Sequence, residues 1–216
     1  MPTVLITGAS DGIGRALVYR YADDGWNVVA TGRRALGDVA RAFPPNCHYV
    51  QADLTQDLGP LLEACPERLD VAILNAGAGK VAAPEAHAAS DIASMIAINT
   101  TAPLLLAQAL FPQLQGGTLA FIGSTAARGA QKDFSVYAAT KAALAGAHRS
   151  LILEWEGQVN VLMIHPGPTA TDMHDKAGLG AIPIRRFFTS PDIVASAIAR
   201  AIGAGKDKSL GMGFTL

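Results

Sequence analysis

The feature that most narrows the fold is an alternation. Six short apolar runs rich in β-branched residues, Val4 to Thr7, Asn27 to Thr31, His48 to Gln51, Val71 to Leu74, Thr118 to Ile122 and Val159 to Ile164, are separated by longer stretches with helical spacing. Strand, helix and strand in succession imply βαβ units and therefore parallel pairing. The runs lack the polar alternation of a half-exposed sheet, so both faces are covered by helices and the expected class is α/β with a doubly wound parallel sheet. Helices are predicted at Gly12 to Asp24, Leu36 to Phe43, Leu58 to Cys65, Ser90 to Phe111, Ser135 to Trp155 and Pro191 to Ile202. Ser190 stands as N-cap before Pro191, and Gly203 as the stop of that helix. With 216 residues, 50% of them hydrophobic, one well-filled domain spanning 1–216 is expected, because two would each have a thin core.

The first strand runs into Thr7-Gly8-Ala9-Ser10-Asp11-Gly12-Ile13-Gly14. Gly8 suits a tight turn, Gly12 lets a pyrophosphate approach backbone N–H groups at a helix N-terminus, and Gly14 lets helix and strand pack closely. The second strand ends in Thr31-Gly32-Arg33-Arg34, where a carboxylate would bind ribose hydroxyls and a cation would accept a 2′-phosphate. No acid is there, and Arg33 offers a forked, charge-assisted contact, so NADP(H) is favoured while NAD(H) stays possible. Arg34 reads equally well as a solvated residue at a helix start.

Ser124, Tyr137 and Lys141 are spaced by thirteen and then four residues, the first after a predicted strand and the other two on one face of the next helix. A phenol with a pKa of about 10 is a poor acid–base group near neutrality unless an adjacent cation favours its ionised form, which Lys141 can supply. By itself the Tyr137/Lys141 pair fits an ordinary surface helix. Its company with Ser124 and the glycine loop makes it a candidate catalytic set.

Together these residues resemble the short-chain dehydrogenases/reductases, enzymes of Rossmann-like fold. The resemblance rests on Thr7 to Gly14, Asn75-Ala76-Gly77 after the fourth strand, Asn99, Ser124, Tyr137 with Lys141, and Pro166-Gly167 after the sixth strand. It implies that Ser124 orients and polarises a substrate carbonyl while Tyr137 gives or takes the hydroxyl proton. It further implies that Lys141 lowers the tyrosine pKa and holds the nicotinamide ribose, and that Asn99 helps position a water relaying protons to Lys141. Asp53 and Leu54 resemble the family's adenine-binding pair, and Thr169 and Thr171 its carboxamide and phosphate contacts. Ser10, Asp11 and Ile13 join the cofactor-binding set as members of the loop. The implied reaction is hydride transfer between nicotinamide and a carbonyl or alcohol. A non-catalytic NADP-sensing protein and an epimerase or dehydratase of the same fold are the alternatives.

Other expectations concern partners and place. A formal net charge of −1 gives no basic field for nucleic acid or an anionic membrane. The longest apolar candidate for a membrane span, Leu104 to Leu110, is broken by Gln108 and Pro112, so no membrane partner is expected. Cys47 and Cys65 lack zinc spacing and His48, His87, His148 and His174 lack ligand spacing, so no metal is expected. His165 reads as structural. Free thiols with no secretory leader point to the cytoplasm. The segment 172–189 is expected to be a flap over the site, and Gly79, Lys80, Gln131 and Phe134 are candidate substrate contacts. The tail from Lys206 is expected to add a last edge strand. Its small size disfavours the family's usual tetramer but permits a dimer through the helices carrying Asn99 and Tyr137.

Overall fold

Seven strands form one parallel sheet in the order β3-β2-β1-β4-β5-β6-β7. They are β1 (Thr3–Thr7), β2 (Asn27–Gly32), β3 (Cys47–Gln51), β4 (Val71–Leu74), β5 (Thr118–Ile122), β6 (Asn160–His165) and β7 (Lys208–Ser209). The computed structural model describes residues 1–39, 42–171 and 188–210. Side chains leave the five central strands, β2, β1, β4, β5 and β6, alternately for two separate cores. Val4, Ile6, Val71, Ile73, Ala120, Ile122, Leu162 and Ile164 pack on one face. Leu5, Ala72, Leu74, Leu119, Phe121, Val161 and Met163 pack on the other. That two-sided burial is why the strands read as unbroken apolar runs.

Helices α1 (Gly12–Asp23) and α6 (Pro191–Gly203) cover the first face and pack on each other there. The second carries α2 (Gly59–Ala64), α4 (Ala102–Leu110) and α5 (Ser135–Glu154). Ahead of α4 runs α3 (Ala89–Ile96), opened by Asp91, whose carboxylate accepts the Ala88 N–H at 3.1 Å. Helix α6 is capped by Ser190, which accepts the Ile193 N–H at 3.4 Å. Its stop lies beyond Gly203, at Gly205, whose φ of 62° lets Lys206 N–H reach back to Ala201 and its own N–H to Ile202.

Three expectations change. Leu36 to Phe43 is not an α-helix: one 3₁₀ turn covers Leu36–Asp38, and residues 40 and 41 lie outside the described set. Leu36 is 60% exposed and Gly37 follows it, so there is no apolar stripe to anchor a helix, while Phe43 stacks on Tyr49 at 4.8 Å. The helix over Ser90 to Phe111 runs from Ala89 to Leu110 but passes through a π-helical stretch, Ala97–Thr101, at its middle. That 22-residue run is long and apolar enough by composition to cross a membrane, contrary to the expectation drawn from Gln108 and Pro112. Counting only uninterrupted apolar residues misses a span whose average tolerates a few polar ones. Here Leu106, Ala107 and Leu110 pack on the sheet.

Candidate active site

The order of the sheet turns round between β1 and β4, and strand ends on either side of such a point open a crevice. Two sequence motifs meet there. After β1 the backbone turns at Gly8 (φ 67°) and again at Gly12 (φ 51°), where α1 begins. A Cβ on Gly8 would stand 2.8 Å from Ala76 Cα, and one on Gly14 only 2.2 Å from the Gly8 carbonyl oxygen. Asn75 and Ala76 hold this turn from β4. Their N–H groups donate to Thr7 Oγ1 at 3.0 and 2.9 Å, and Asn75 Nδ2 donates to the Thr7 carbonyl at 3.0 Å. Ile13 packs back against the α1 side of the core.

Asp11, Arg33 and Arg34 divide their work. Asp11 Oδ1 accepts the Gly12 N–H at 2.7 Å and its other oxygen pairs with Arg34 at 3.1 Å, so Arg34 is tied to the helix cap. Tyr49 O–H donates to the Arg34 carbonyl at 2.8 Å and hydrogen-bonds Ser10, fixing the turn after β2 beside the glycine loop. A Cβ on Gly32 would meet both Tyr49 Oη and Ser10 Oγ within 3 Å. Arg33 lies on the same turn. Asp53 caps its own turn, accepting Thr55 N–H at 3.0 Å and Thr55 O–H at 2.7 Å, which hold its carboxyl below the usual range. Leu54 beside it is buried among the β1, β4 and α4 side chains.

Ser124 follows β5 and caps a short 3₁₀ turn, its Oγ accepting the Ala126 N–H at 3.1 Å. Tyr137 and Lys141 stand on α5, one turn apart. The Lys141 ammonium is buried and donates to the Ile122 carbonyl at the end of β5, at 3.0 Å. Desolvation lowers its pKa to about 8. Burial raises the Tyr137 pKa, with the hydrogen bond to Ser124 pulling the other way. The depression expected from Lys141 does not appear in the direction of the shift, which burial sets, and the Lys141 ammonium is bonded to the Ile122 carbonyl.

Asn99 sits fully buried in the π-helical stretch. Its amide clamps Ala78 from both sides, Oδ1 accepting Ala78 N–H at 2.9 Å and Nδ2 donating to Ala78 O at 2.8 Å. Nδ2 also donates to Thr140 Oγ1 at 3.0 Å, and Thr140 O–H donates in turn to the Tyr137 carbonyl at 2.7 Å. Thr140 was not singled out by sequence reasoning; only its place beside Lys141 could have flagged it. A Cβ on Gly77 would lie 3.0 Å from Asn99 Oδ1 and 3.4 Å from Lys141 Nζ, so Gly77 is where these two groups meet the chain leaving β4.

The far wall comes from the chain after β6. The Pro166 carbonyl accepts Thr125 N–H at 3.3 Å, and Thr169 O–H donates to the Gly167 carbonyl at 3.0 Å. Thr171 lies over the N-terminus of α1, its methyl 2.9 Å from where a Gly12 Cβ would be. The expected flap falls at 172–187 outside the described residues, but its far end is anchored: Thr189 bridges Thr169, and Ala170 N–H donates to the Thr189 carbonyl at 2.9 Å. Among the candidate substrate contacts, Phe134 packs edge-on against Tyr137 with centroids 6.3 Å apart. Lys80 pairs with Asp91 at 2.5 Å, Gly79 is half-buried beside it, and Gln131 is exposed. A bond from Ala82 N–H to the Asp133 carbonyl joins the two loops.

A family model described as short chain dehydrogenase matches residues 2–180. D-threitol dehydrogenase of Mycolicibacterium smegmatis is 29% identical, with 98% of this chain and 92% of that protein covered. Serine 3-dehydrogenase of Agrobacterium fabrum is 33% identical over 79% of this chain and 73% of its own. Among solved structures, a short-chain dehydrogenase from Sphingobium yanoikuyae in complex with NADPH superimposes with a TM-score of 0.83 at 28% identity, covering 98% of this chain and 87% of that one.

Proposed function

The chain belongs to the short-chain dehydrogenase/reductase family, oxidoreductases of alcohol and carbonyl groups that use NAD(P), and on that premise we propose that NADP(H) is its preferred cofactor and Tyr137 its acid/base group. The observation that carries the reading is the half-buried Tyr137 phenol beside Ser124, with the buried Lys141 ammonium one turn farther along the same helix. The glycine cradle fits the cofactor, because the positive φ angles of Gly8 and Gly12 and the absence of a Cβ at Gly14 bare backbone at a helix N-terminus. When bound, the nicotinamide supplies or accepts the hydride.

In carbonyl reduction Ser124 O–H donates to the carbonyl oxygen, polarising it. Tyr137, protonated because burial raises its pKa, gives the proton that turns this oxygen into a hydroxyl. The phenolate left behind is stabilised by the Lys141 charge, and Asn99 positions the proton path to Lys141 while bracing the chain at Ala78. Alcohol oxidation runs through the same groups in reverse. Gly8, Ser10, Asp11, Gly12, Ile13, Gly14, Asn75, Ala76 and Gly77 form the cradle, Asp53 and Leu54 flank the adenine, and Pro166, Gly167, Thr169 and Thr171 cover the nicotinamide side. Arg33, at a strand end with no carboxylate, favours the 2′-phosphate of NADP. The S. yanoikuyae relative is described with NADPH, which agrees.

The substrate is a small carbonyl or alcohol compound, and polyols and β-hydroxy amino acids head the panel because two relatives carry those names. Net NADPH oxidation across that panel, run in parallel with NADH, tests the reading. A sensor would give no turnover, and an epimerase would give product without net cofactor change. The apolar outer faces of α4 and α5 suit a second copy of the chain, making a dimer the proposed assembly.

A further inference from the structure

His165, which sequence reasoning set aside as structural, ends β6 directly behind Ser124. It is buried, 3% exposed, and its ring lies so close on Gly123 that a Cβ there would stand 2.6 Å from Nδ1 and 2.9 Å from Cε1. Nδ1 is 3.0 Å from the Ser124 carbonyl oxygen. A carbonyl can only accept, so Nδ1 must carry the hydrogen.

We propose that His165 is a positioning residue for carbonyl reduction, its Nδ1–H locking the Ser124 main chain so that the Ser124 hydroxyl faces the reacting oxygen. This rests on the reading of Ser124 as the carbonyl-binding group. The same Ser124 oxygen accepts the Ala127 N–H at 3.1 Å, so two donors fill its two lone pairs and the peptide after Ser124 cannot rotate without losing one. Backbone bonds from Gly123 N–H to Ile164 O at 2.8 Å and from Thr125 N–H to Pro166 O at 3.3 Å extend the β5–β6 pairing on either side of Ser124. The His165 bond pins the residue between them. The other end of the turn is held as well, because Arg128 donates to Ser209 Oγ at 2.6 Å and β7 sets Ser209 opposite His165. With the Ser124 carbonyl fixed and its Oγ accepting from Ala126 N–H, the hydroxyl hydrogen is free to be donated on the side where Tyr137 stands. Burial, the largest influence on the His165 ring, moves its pKa below the usual imidazole range and outweighs the bond to Ser124, so the donor is a neutral imidazole.

Two measurements decide the matter. In the wild-type protein, ¹⁵N-labelled histidine spectra are expected to show His165 as the neutral Nδ1–H tautomer; an Nε2–H tautomer overturns the proposal. With the carbonyl compound that turns over in the substrate panel, His165→Leu is expected to lower kcat about tenfold while leaving the KM for NADPH unchanged, since an ångström of misplacement is enough for such a loss. His165→Asn, whose Nδ2 reproduces the Nδ1 donor, is expected to restore the rate to within about threefold. In a Ser124→Ala background the same His165→Leu change is expected to cost nothing further. Equal losses in both backgrounds, or Leu and Asn proteins of equal rate, overturn the proposal. If the Leu protein does not fold, His165→Gln, which carries its donor one bond farther out, takes its place. A Ser124→Ala protein of wild-type rate defeats the reading of Ser124 and this inference together, whereas a dead Ser124→Ala protein beside an unaffected His165→Leu protein defeats this inference alone.

Discussion

Burial moves the two groups of the proposed acid–base couple in opposite directions: the Tyr137 phenol above its ordinary value, and the Lys141 ammonium down to about 8. The raised Tyr137 pKa keeps the phenol protonated at neutral pH, the form carbonyl reduction needs, while Lys141 is still mostly charged there. Replacing Tyr137 with Phe removes the hydroxyl that delivers the proton in the proposed mechanism and is expected to lower kcat by roughly 10²- to 10⁴-fold, with NADPH binding unchanged by fluorescence titration. Near-normal turnover by a folded Tyr137→Phe protein would defeat the mechanism. Reduction is also expected to decline as pH passes about 8, where Lys141 loses the charge that stabilises the phenolate; a kcat profile flat from neutrality into the alkaline range would contradict this. The same shift has a stability consequence of fixed sign. Because the folded pKa of Lys141 is about 8 against 10.5 for the free side chain, the unfolded chain holds more protons between those values, and this residue makes stability rise with pH there. The raised Tyr137 pKa acts oppositely, but only above its ordinary value of 10.0. Urea unfolding of wild-type and Lys141→Met proteins on either side of pH 8 is therefore expected to show a rise in the wild type that the variant lacks.

The glycine turn between β1 and α1 works as a unit, and its tightest point is not where the phosphate would lie. A methyl group at Gly14 would sit 2.2 Å from the Gly8 carbonyl oxygen, inside any van der Waals contact, and the obstacle is backbone that cannot swing aside. Gly14→Ala is expected to cost about 1–3 kcal/mol of stability, as overpacking does, and to weaken cofactor binding by moving the loop; an unchanged unfolding midpoint would refute it. At the end of β2, Arg33→Ala is expected to raise the Kd for NADPH about tenfold or more and leave that for NADH within about twofold, in keeping with one lost charge-assisted contact. Equal loss for both cofactors would remove Arg33 from the 2′-phosphate site. How legible such elements are in the sequence depends on how local their cause is. The five central strand runs were readable because burial on both faces writes itself as Val, Ile, Leu and other apolar residues, whereas the edge run His48 to Gln51 is half-exposed and polar at both ends; the glycine loop was readable because each missing side chain has a steric reason within a few residues. Leu36 to Phe43 misled because its spacing was helical while Gly37 and the exposure of Leu36 left nothing for a helix to bury against. The π-helical stretch around Asn99, the Asp11–Arg34 pair and the His165–Ser124 bond were out of reach, because each depends on partners from elements distant in sequence.

At the scale of the whole molecule, the site and the proposed contact surface share the same two elements. On its inner side α5 carries Tyr137 and Lys141, and α4 continues from the π-helical stretch that holds Asn99. Their outer sides leave a groove of about 480 Å³ whose apolar lining, Leu104, Ala107, Phe111, Ala147, Leu151 and Trp155, is edged by Gln108, Ser150 and Glu154. Beside it Leu105 is 47% and Leu153 75% exposed. Contiguous apolar exposure of this kind, Leu105 on α4 with Ile152 and Leu153 on α5, is what an interface covers. A second copy placed across these helices would bury the groove symmetrically, one subunit's α4 and α5 against the other's, as a two-fold contact requires. It would also stiffen the helix that carries Tyr137 and Lys141. Sedimentation is therefore expected to give about twice the 22.3 kDa chain mass. Ala147→Glu within the groove, combined with Leu105→Glu on its rim, is expected to yield a monomer, because two like-charged pairs related by the two-fold axis would then be forced into a desolvated contact. That monomer is expected to bind NADPH with unchanged affinity while melting at a lower temperature, since only the dimer's contribution to stability is lost. A wild-type protein that sediments as a single chain, or a doubly substituted one that remains a dimer, would move the contact away from α4 and α5 and leave the apolar groove to another partner.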